Sequence, residues 1–396
     1  MTQWEEAQRE VLCSIKPLKE EEVEVFSALK RVMAQEVVAR EAIPARDQAA
    51  VDGFVLRSSD VERASPENPI RLKVVGVIPA GKGFTKGLKR GEAARIMTGG
   101  FIPEGANTIL KREESRVEGE WLLIGAPASP EDYIIRAGAE FRPGERVIEK
   151  GVLLGPAEIG VLAHLGYTHV MVFRRPVVAI LSIGDELVEL EGEKRPWYSL
   201  GAQVYEAGAI PLPLGIARDR IGEIKARMQE GLMADLLITT GGTGKGEYDL
   251  VKRALKNIGA EVKFQGLALR PGRTTAFALK SNKPIFCLPG RPPAAFVAFE
   301  VLIRPAILTM MGNQRPFRPS LWAVAKGEIQ IRPGPPKFLP ARLFYKGDEL
   351  IILPVEEGQG ESLRSLAQAD GLALIPEGTS KIKAGEKVQV FLTKNQ

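Results

Sequence analysis

The stretch Leu236–Asp249, LLITTGGTGKGEYD, decides the fold. Leu236, Leu237, Ile238, Thr239 and Thr240 form an unbroken apolar and β-branched run of strand length, as expected of a strand buried on both faces of a parallel sheet. The run enters Gly241-Gly242-Thr243-Gly244-Lys245-Gly246 and then a helical pattern. Glycines at a strand-to-helix turn allow positive φ and let a phosphate approach bare N–H groups. Thr243 adds a hydroxyl, Lys245 a positive charge, and Glu247 and Asp249 carboxylates. The loop therefore suits a phosphorylated ligand with a bound cation, or else is a tight turn with no ligand. It lacks the Gly-Lys-[Ser/Thr] ending of a Walker A loop.

Outward from this stretch, residues 176–312 alternate strand and helix: VVAILSIGDEL, a helix around Leu200 to Ala207, IPLPLGIA, IGEIKARMQEGL, LLITTGG, DLVKRALKNIG, KPIFCLPG and PAAFVAFEVLI. Such alternation implies a doubly wound α/β domain with ligands beyond the carboxyl ends of its strands. Those ends carry Gly184-Asp185-Glu186, Arg218-Asp219, Gly241 to Asp249, and Leu288-Pro289-Gly290-Arg291. Four glycine- and carboxylate-rich loops at one edge point to a site more strongly than any one of them.

The remainder is organised differently. Residues 1–40 read as helix, with Val23, Val25, Phe26, Leu29, Val32, Met33 and Val37 at helical spacing. Asp47, Asp52 and Gly53 fall in a turn before a strand. From about Pro69 to Glu140, short alternating segments punctuated by Gly and Pro predict a small β domain. PAEIGVLAHLGY predicts a helix with Pro156 in its first turn. Residues 317–396 predict a small barrel or sandwich.

With 396 residues, 44% hydrophobic and 26% charged, the chain is a globular protein of two to four domains. Its net charge of +5 is scattered, which favours a mixed solvated surface over a nucleic-acid patch. Cys13 and Cys287 are far apart and His164 and His169 are the only histidines, so neither a disulfide framework nor a histidine-rich metal site can be built. Any metal is expected to be oxygen-ligated, which favours magnesium or an oxyanion. Cys287 lies in an apolar strand and reads as core. The charged amino terminus has no signal-peptide pattern and no run of 18 apolar residues occurs, so the cytoplasm is the expected compartment.

The candidate site gathers Asp185, Glu186, Asp219, Glu247 and Asp249. Carboxylates crowded at one edge repel unless a cation sits among them. Arg270 and Arg273 in LALRPGRTT, with Arg291, add guanidinium forks suited to phosphate or to an oxyanion such as molybdate.

The order of motifs resembles the molybdopterin molybdenumtransferases, the MoeA and gephyrin E-domain family. The matching stretches are AAVDGF (49–54), RIMTGGFIPEGANTILKREE (95–114), IIRAGAEFRPGE (134–145), VAILSIGDELVE (178–189), GGTGKGEYD (241–249), LALRPGR (267–273), FCLPGRPPAAFVAFE (286–300) and ADGLALIPEG with AGEKV (369–388). They span nearly the whole chain. The resemblance implies a multidomain α/β-plus-β fold: a discontinuous elongated helical domain at 1–44 and 135–175, a small β domain at 45–134, a MogA/MoaB-like α/β domain at 176–316 and a C-terminal β-barrel at 317–396. It implies a homodimer whose active site lies between the α/β domain of one subunit and the first two domains of the other. A MogA-like adenylyltransferase and molybdoenzyme chaperones are further expected partners, with neither nucleic acid nor membrane.

The implied reaction inserts molybdate, or tungstate, into adenylylated molybdopterin with magnesium and releases AMP. Water attacks the phosphoanhydride, and no protein nucleophile is needed. The resemblance assigns catalytic roles to Asp52, Glu186, Asp219 and Asp249. Binding roles go to Thr98, Glu140, Gly184, Asp185, Gly241, Gly242, Thr243, Gly246, Arg270, Arg273, Pro289, Gly290, Arg291 and Pro292, and magnesium to Asp185, Glu186 and Asp249. Glu140 stands where the family usually has Asp, and the two arginines Arg270 and Arg273 replace usual lysines.

Other departures are Gln48-Ala49 for Asn-Ser, Tyr198-Ser199-Leu200 for Asp-Ser-Asn, and Gly290-Arg291-Pro292-Pro293-Ala294 for Gly-Asn-Pro-Val-Ser. These are expected to remove polar contacts from the pocket rather than to alter the core. They motivate a second reading, a non-catalytic molybdopterin-binding scaffold. The Thr243-Gly244 pair motivates a third, a MogA-like adenylylating enzyme.

Overall fold

The computed structural model describes residues 1–188, 197–242, 248–355 and 362–394, with the backbone alone of Tyr248 and Asp249. The chain forms two compact units, residues 1–35 with 150–396, and residues 36–149.

A six-stranded sheet organises the first unit, in the order Ile210–Ala217, Val177–Ile183, Leu236–Thr240, Lys283–Leu288, Ala276–Lys280, Glu261–Gln265. The first four strands are parallel, as expected. The last two are antiparallel, so the sheet is mixed rather than wholly parallel. The cause is local: Ser281 and Asn282, at φ 50° and 63°, close a two-residue hairpin between Lys280 and Lys283. Successive residues of the strand Val177–Ile183 serve opposite faces. Val178 and Ile180 pack with Phe277, Phe286 and the helix Pro292–Met310. Ala179 and Leu181 pack with Ile224, Met228, Val251 and Leu255 on the other side. Both faces are covered, which explains the unbroken apolar and β-branched run of Leu236–Thr240.

The helix Pro292–Met310 is long and apolar enough to cross a membrane, but 78% of it is buried inside the protein, so it serves here as a core helix. Its middle turn, Phe299–Ile303, is π-helical. Pro305 accounts for this, because it has no N–H for the Val301 carbonyl and its ring crowds that oxygen. Gln8, on the amino-terminal helix Trp4–Cys13, donates to the Val301 carbonyl instead, at 2.8 Å.

The helix expected over Lys19–Arg40 is not there. Glu20–Glu24 is a strand, antiparallel to His169–Phe173, followed by one 3-10 turn at Phe26–Ala28. A helix would set Glu20 and Glu24 one turn apart with like charge. The strand instead turns Glu20, Glu22 and Glu24 to solvent and Val23 toward Val170. Buried Arg31 fixes the arrangement by pairing with Glu21 and donating to the Phe173 carbonyl at 2.8 Å.

The carboxyl-terminal strands Ser320–Ala325, Glu349–Pro354, Lys337–Lys346, Gly371–Ile375 and Lys387–Leu392 close into a barrel. Alternate residues such as Ala323, Leu339, Ile352, Ala373 and Val390 fill its interior.

The second unit is built on a sheet in the order Thr108–Lys111, Gly53–Leu56, Glu92–Ile96, Ile70–Ile78, Trp121–Ile124, Arg116–Glu118. Its two faces bury Phe54, Leu56 and Leu72 on one side and Val55, Ile78 and Ile96 on the other. The short strands expected from about Pro69 to Glu140 are present, with Ile70–Ile78 and Glu92–Ile96 contributing to both packed faces and Arg116–Glu118 exposed throughout.

Candidate active site

The parallel ladder between Val177–Ile183 and Ile210–Ala217 ends with Ile183 opposite Ala217, and the Gly184 N–H donates to the Ala217 carbonyl at 3.1 Å. Two residues on, at the same register, Asp185 faces Asp219. The Asp185 backbone N–H donates to Asp219 Oδ2 at 3.1 Å, and the Asp219 N–H donates to Asp185 Oδ1 at 3.2 Å. Each carboxylate stands where the next strand's carbonyl would have been. The other oxygen of Asp219, Oδ1, is buried and has no hydrogen-bond partner among the described residues.

Glu186 folds back over Gly184: a Cβ on Gly184, at φ 152°, would lie 2.5 Å from Glu186 Oε1. Gly241 follows the strand Leu236–Thr240 at φ 91°, where a Cβ would meet the Ile183 carbonyl at 2.1 Å. The Gly241 N–H reaches the Leu288 carbonyl at 3.3 Å, and the Thr240 hydroxyl donates to the Pro289 carbonyl at 3.0 Å. Gly290 lies against Gly241, so that a Cβ there would stand 3.2 Å from Gly241 Cα. Three loops thus converge on one glycine. Gly242 is buried behind them against Ile183 and Val251. Arg291 and Pro292, both exposed, open the helix that begins at Pro292.

Arg270 and Arg273 precede Ala276–Lys280, whose first residue pairs with Cys287 near the carboxyl end of Lys283–Leu288. They therefore occupy the same edge of the sheet. The Arg270 backbone is held by the barrel, donating to the Pro336 carbonyl at 2.9 Å and accepting from the Phe338 N–H at 2.8 Å. Arg273 Nε reaches the Met1 thioether at 3.3 Å. Cys287 is fully buried, and burial pushes its thiol up to about 11, in accord with a core role.

In the second unit, Asp52 and Thr98 lie 46 residues apart in sequence and meet at adjacent strand ends. The Asp52 carboxylate accepts the Thr98 N–H at 2.8 Å and its hydroxyl at 2.9 Å. The Thr98 N–H foremost, then its hydroxyl, hold the carboxyl below its ordinary value against the opposing effect of desolvation, and Arg95 and Arg112 add to the lowering. Lys111 is paired across from Gly53, and its ammonium sits 4.4 Å from the centre of the Tyr133 ring. The sequence reading did not single out Arg95, Lys111 or Arg112, although all three stand in the quoted stretch 95–114. What gathers them is strand order. Glu140 is exposed, and its N–H donates to the Ile43 carbonyl at 2.9 Å.

Thr243, Gly246, Lys245 and Glu247 lie outside the described residues, as does the side chain of Asp249, which belongs to the helix Tyr248–Asn257. Among the described residues no group of three or more His, Cys, Asp or Glu is gathered closely enough to hold a metal ion. One expectation is corrected in part. Of the departures, Gln48 and Ser199 are half-buried and Tyr198 and Arg291 exposed, whereas Ala49, Leu200 and Ala294 are 0%, 3% and 8% exposed, the first two within hydrophobic clusters. Their apolar side chains suit burial, where an unpaired serine or asparagine would be costly.

The fold and this edge define a multidomain protein with a ligand-binding α/β domain. Family models match along its length: the MoeA N-terminal region (domain I and II) over residues 2–166, a probable molybdopterin binding domain over 179–309, and the MoeA C-terminal region (domain IV) over 323–393. A molybdopterin molybdenumtransferase of Bacillus subtilis (strain 168) is 33% identical, across 99% of this chain and 94% of its own length. One from Staphylococcus aureus (strain Mu50) is 31% identical, across 94% and 91%. A molybdopterin biosynthesis MoeA structure from Pyrococcus horikosii is 31% identical with a TM-score of 0.82, covering 100% of both chains. The chain belongs to the MoeA family.

Proposed function

We propose that this chain inserts molybdate into adenylylated molybdopterin, with magnesium, and releases AMP. The coarser statement, a transferase of molybdenum cofactor biosynthesis that puts molybdenum into molybdopterin, rests on the family and its near-full-length relatives. What supports the finer reading is the buried Oδ1 of Asp219, without a hydrogen-bond partner among the described residues, at the edge of the α/β domain that matches the probable molybdopterin binding domain. An orphaned carboxylate oxygen costs free energy unless a ligand meets it. A hard oxygen donor of this kind fits magnesium.

Of the three residues to which the resemblance assigns the ion, Glu186 and Asp249 would hold it, with Asp219 in the place of Asp185, and the ion when bound supplies positive charge against the phosphate oxygens. Arg270, Arg273 and Arg291 bind the phosphates or the incoming oxyanion at the same edge. Asp52, kept ionised by Thr98, orients water or a cation together with Thr98 and Glu140. We further propose the four-domain division expected from the resemblance, a homodimer that pairs this set with the α/β edge of the other subunit, and a cytoplasmic location.

The test is incubation of the purified protein with molybdopterin-AMP, molybdate and magnesium. AMP release dependent on both molybdate and magnesium is expected. Tight molybdopterin binding without AMP release would overturn the catalytic reading.

A further inference from the structure

We infer that Asp185 is a positioning residue for Asp219 rather than a ligand of the cation. This rests on the molybdenum-insertion reading of the same edge. The backbone ladder stops at Ile183 and Ala217, and Gly184 adds one last bond to Ala217. Beyond it the loops diverge, and the N–H groups of Asp185 and Asp219 would go unpaired. The two side chains close the gap by each accepting the other's N–H, at 3.1 and 3.2 Å. Asp185 Oδ1 and Asp219 Oδ2 are therefore committed to holding the loops in register.

Two consequences follow from the geometry. First, the bracket places the Asp219 backbone and one of its carboxylate oxygens, so χ1 and χ2 of Asp219 are both fixed. Second, Oδ2 carries that bond, whereas buried Oδ1 has no hydrogen-bond partner among the described residues. The task of Asp185 needs an oxygen acceptor at Oδ1, not a negative charge. A cation ligand would need the charge. Asparagine separates the two, because its amide oxygen accepts the Asp219 N–H and carries no charge.

The experiment compares Asp185→Ala and Asp185→Asn in the full-length protein, by AMP release from molybdopterin-AMP with molybdate and magnesium, by hydrogen exchange of the Asp219 amide, and by thermal midpoint. In Asp185→Ala the amide exchanges faster and kcat falls by about 100-fold, as expected for misplacement of a reacting group by about 1 Å. In Asp185→Asn the amide is again protected, most of the lost turnover returns, and the magnesium concentration for half-activation stays that of the wild type. Turnover lost in Asp185→Asn with the amide still protected overturns the inference, because the charge is then what matters. Wild-type turnover in Asp185→Ala overturns it as well. If Asp185→Ala fails to fold, Asp185→Asn decides alone by the same criteria. A wild type that releases no AMP removes the molybdenum-insertion reading, while amide protection in wild type and Asp185→Asn, lost in Asp185→Ala, would still establish the bracket.

Discussion

The Asp52 carboxylate accepts two hydrogen bonds from a single residue, the backbone N–H and the hydroxyl of Thr98. Both bonds favour the anion, so the folded carboxyl titrates below its ordinary value. The stabilisation they give is complete above that ordinary value and is lost as pH falls through the lowered one. Thr98→Val removes the hydroxyl and keeps the N–H. The Asp52 carboxyl should then titrate closer to its ordinary value, and the acid limb of the turnover profile should move to higher pH. Carboxyl-carbon NMR titration with a kcat/KM profile measures both. An unmoved titration would show that the hydroxyl contributes nothing.

Gly241 is the point where three loops meet. Alanine there combines φ 91° with a Cβ 2.1 Å from the Ile183 carbonyl. We expect Gly241→Ala to lose at least about 2 kcal/mol of stability, from left-handed strain together with the displaced loop. Urea denaturation reads the loss, and isothermal titration with molybdopterin should show weakened binding. A variant as stable as the wild type would mean that the backbone can relax at this point without cost.

Gln8 and Pro305 are predicted to be coupled. Gln8→Ala leaves the Val301 carbonyl without its donor and should cost about 1 kcal/mol. Pro305→Ala restores a backbone N–H able to serve that carbonyl. In the Pro305→Ala background the cost of Gln8→Ala should therefore shrink, a coupling that a double-mutant cycle in urea resolves. Equal costs in both backgrounds would refute the exchange of donors.

The Arg174 fork meets both oxygens of Asp235 at 2.7 Å, and the Val177 N–H adds a third bond at 2.8 Å. Burial pushes the Asp235 carboxyl up, but the Arg174 fork and the Val177 N–H outweigh it, so the net shift is downward. This contribution is present above the ordinary carboxylate value near 3.9 and is lost as pH falls toward the lowered folded value. Asp235→Asn should cost about 1–2 kcal/mol at neutral pH, toward the lower end because the Arg174 side chain is 37% exposed. The gap between variant and wild type should narrow below about pH 4. Thermal midpoints taken from pH 7 to pH 3 test this, and a gap that widens in acid contradicts it.

The strands and helices of the α/β domain were legible because their signals are local. Leu236–Thr240 is apolar or β-branched throughout, and Gly241 marks a turn no other residue would tolerate. The segment Lys19–Arg40 was misread because valines at 23, 25, 32 and 37 satisfy a helical period as well as an extended one. Pairing of Glu20–Glu24 with His169–Phe173 then settled the matter, and that contact spans well over a hundred residues. The antiparallel strand Ala276–Lys280 escaped notice for a similar reason: a two-residue turn at Ser281-Asn282 reverses direction with no glycine to announce it.

By itself the sequence determined which residue types stand at the strand ends: Asp185, Glu186, Asp219, the glycines around Gly241, and Arg270 and Arg273. It also determined the family, through motifs whose order runs along the whole chain. Only the tertiary structure decided what those residues do to one another. The register of two parallel strands sets Asp185 against Asp219, and strand order brings Thr98 to Asp52. Burial turned Ala49 and Leu200 from presumed pocket losses into core packing. The physical reason is that a side chain's identity fixes its chemistry, whereas its charge state, its free lone pairs and its neighbours depend on groups brought close by folding.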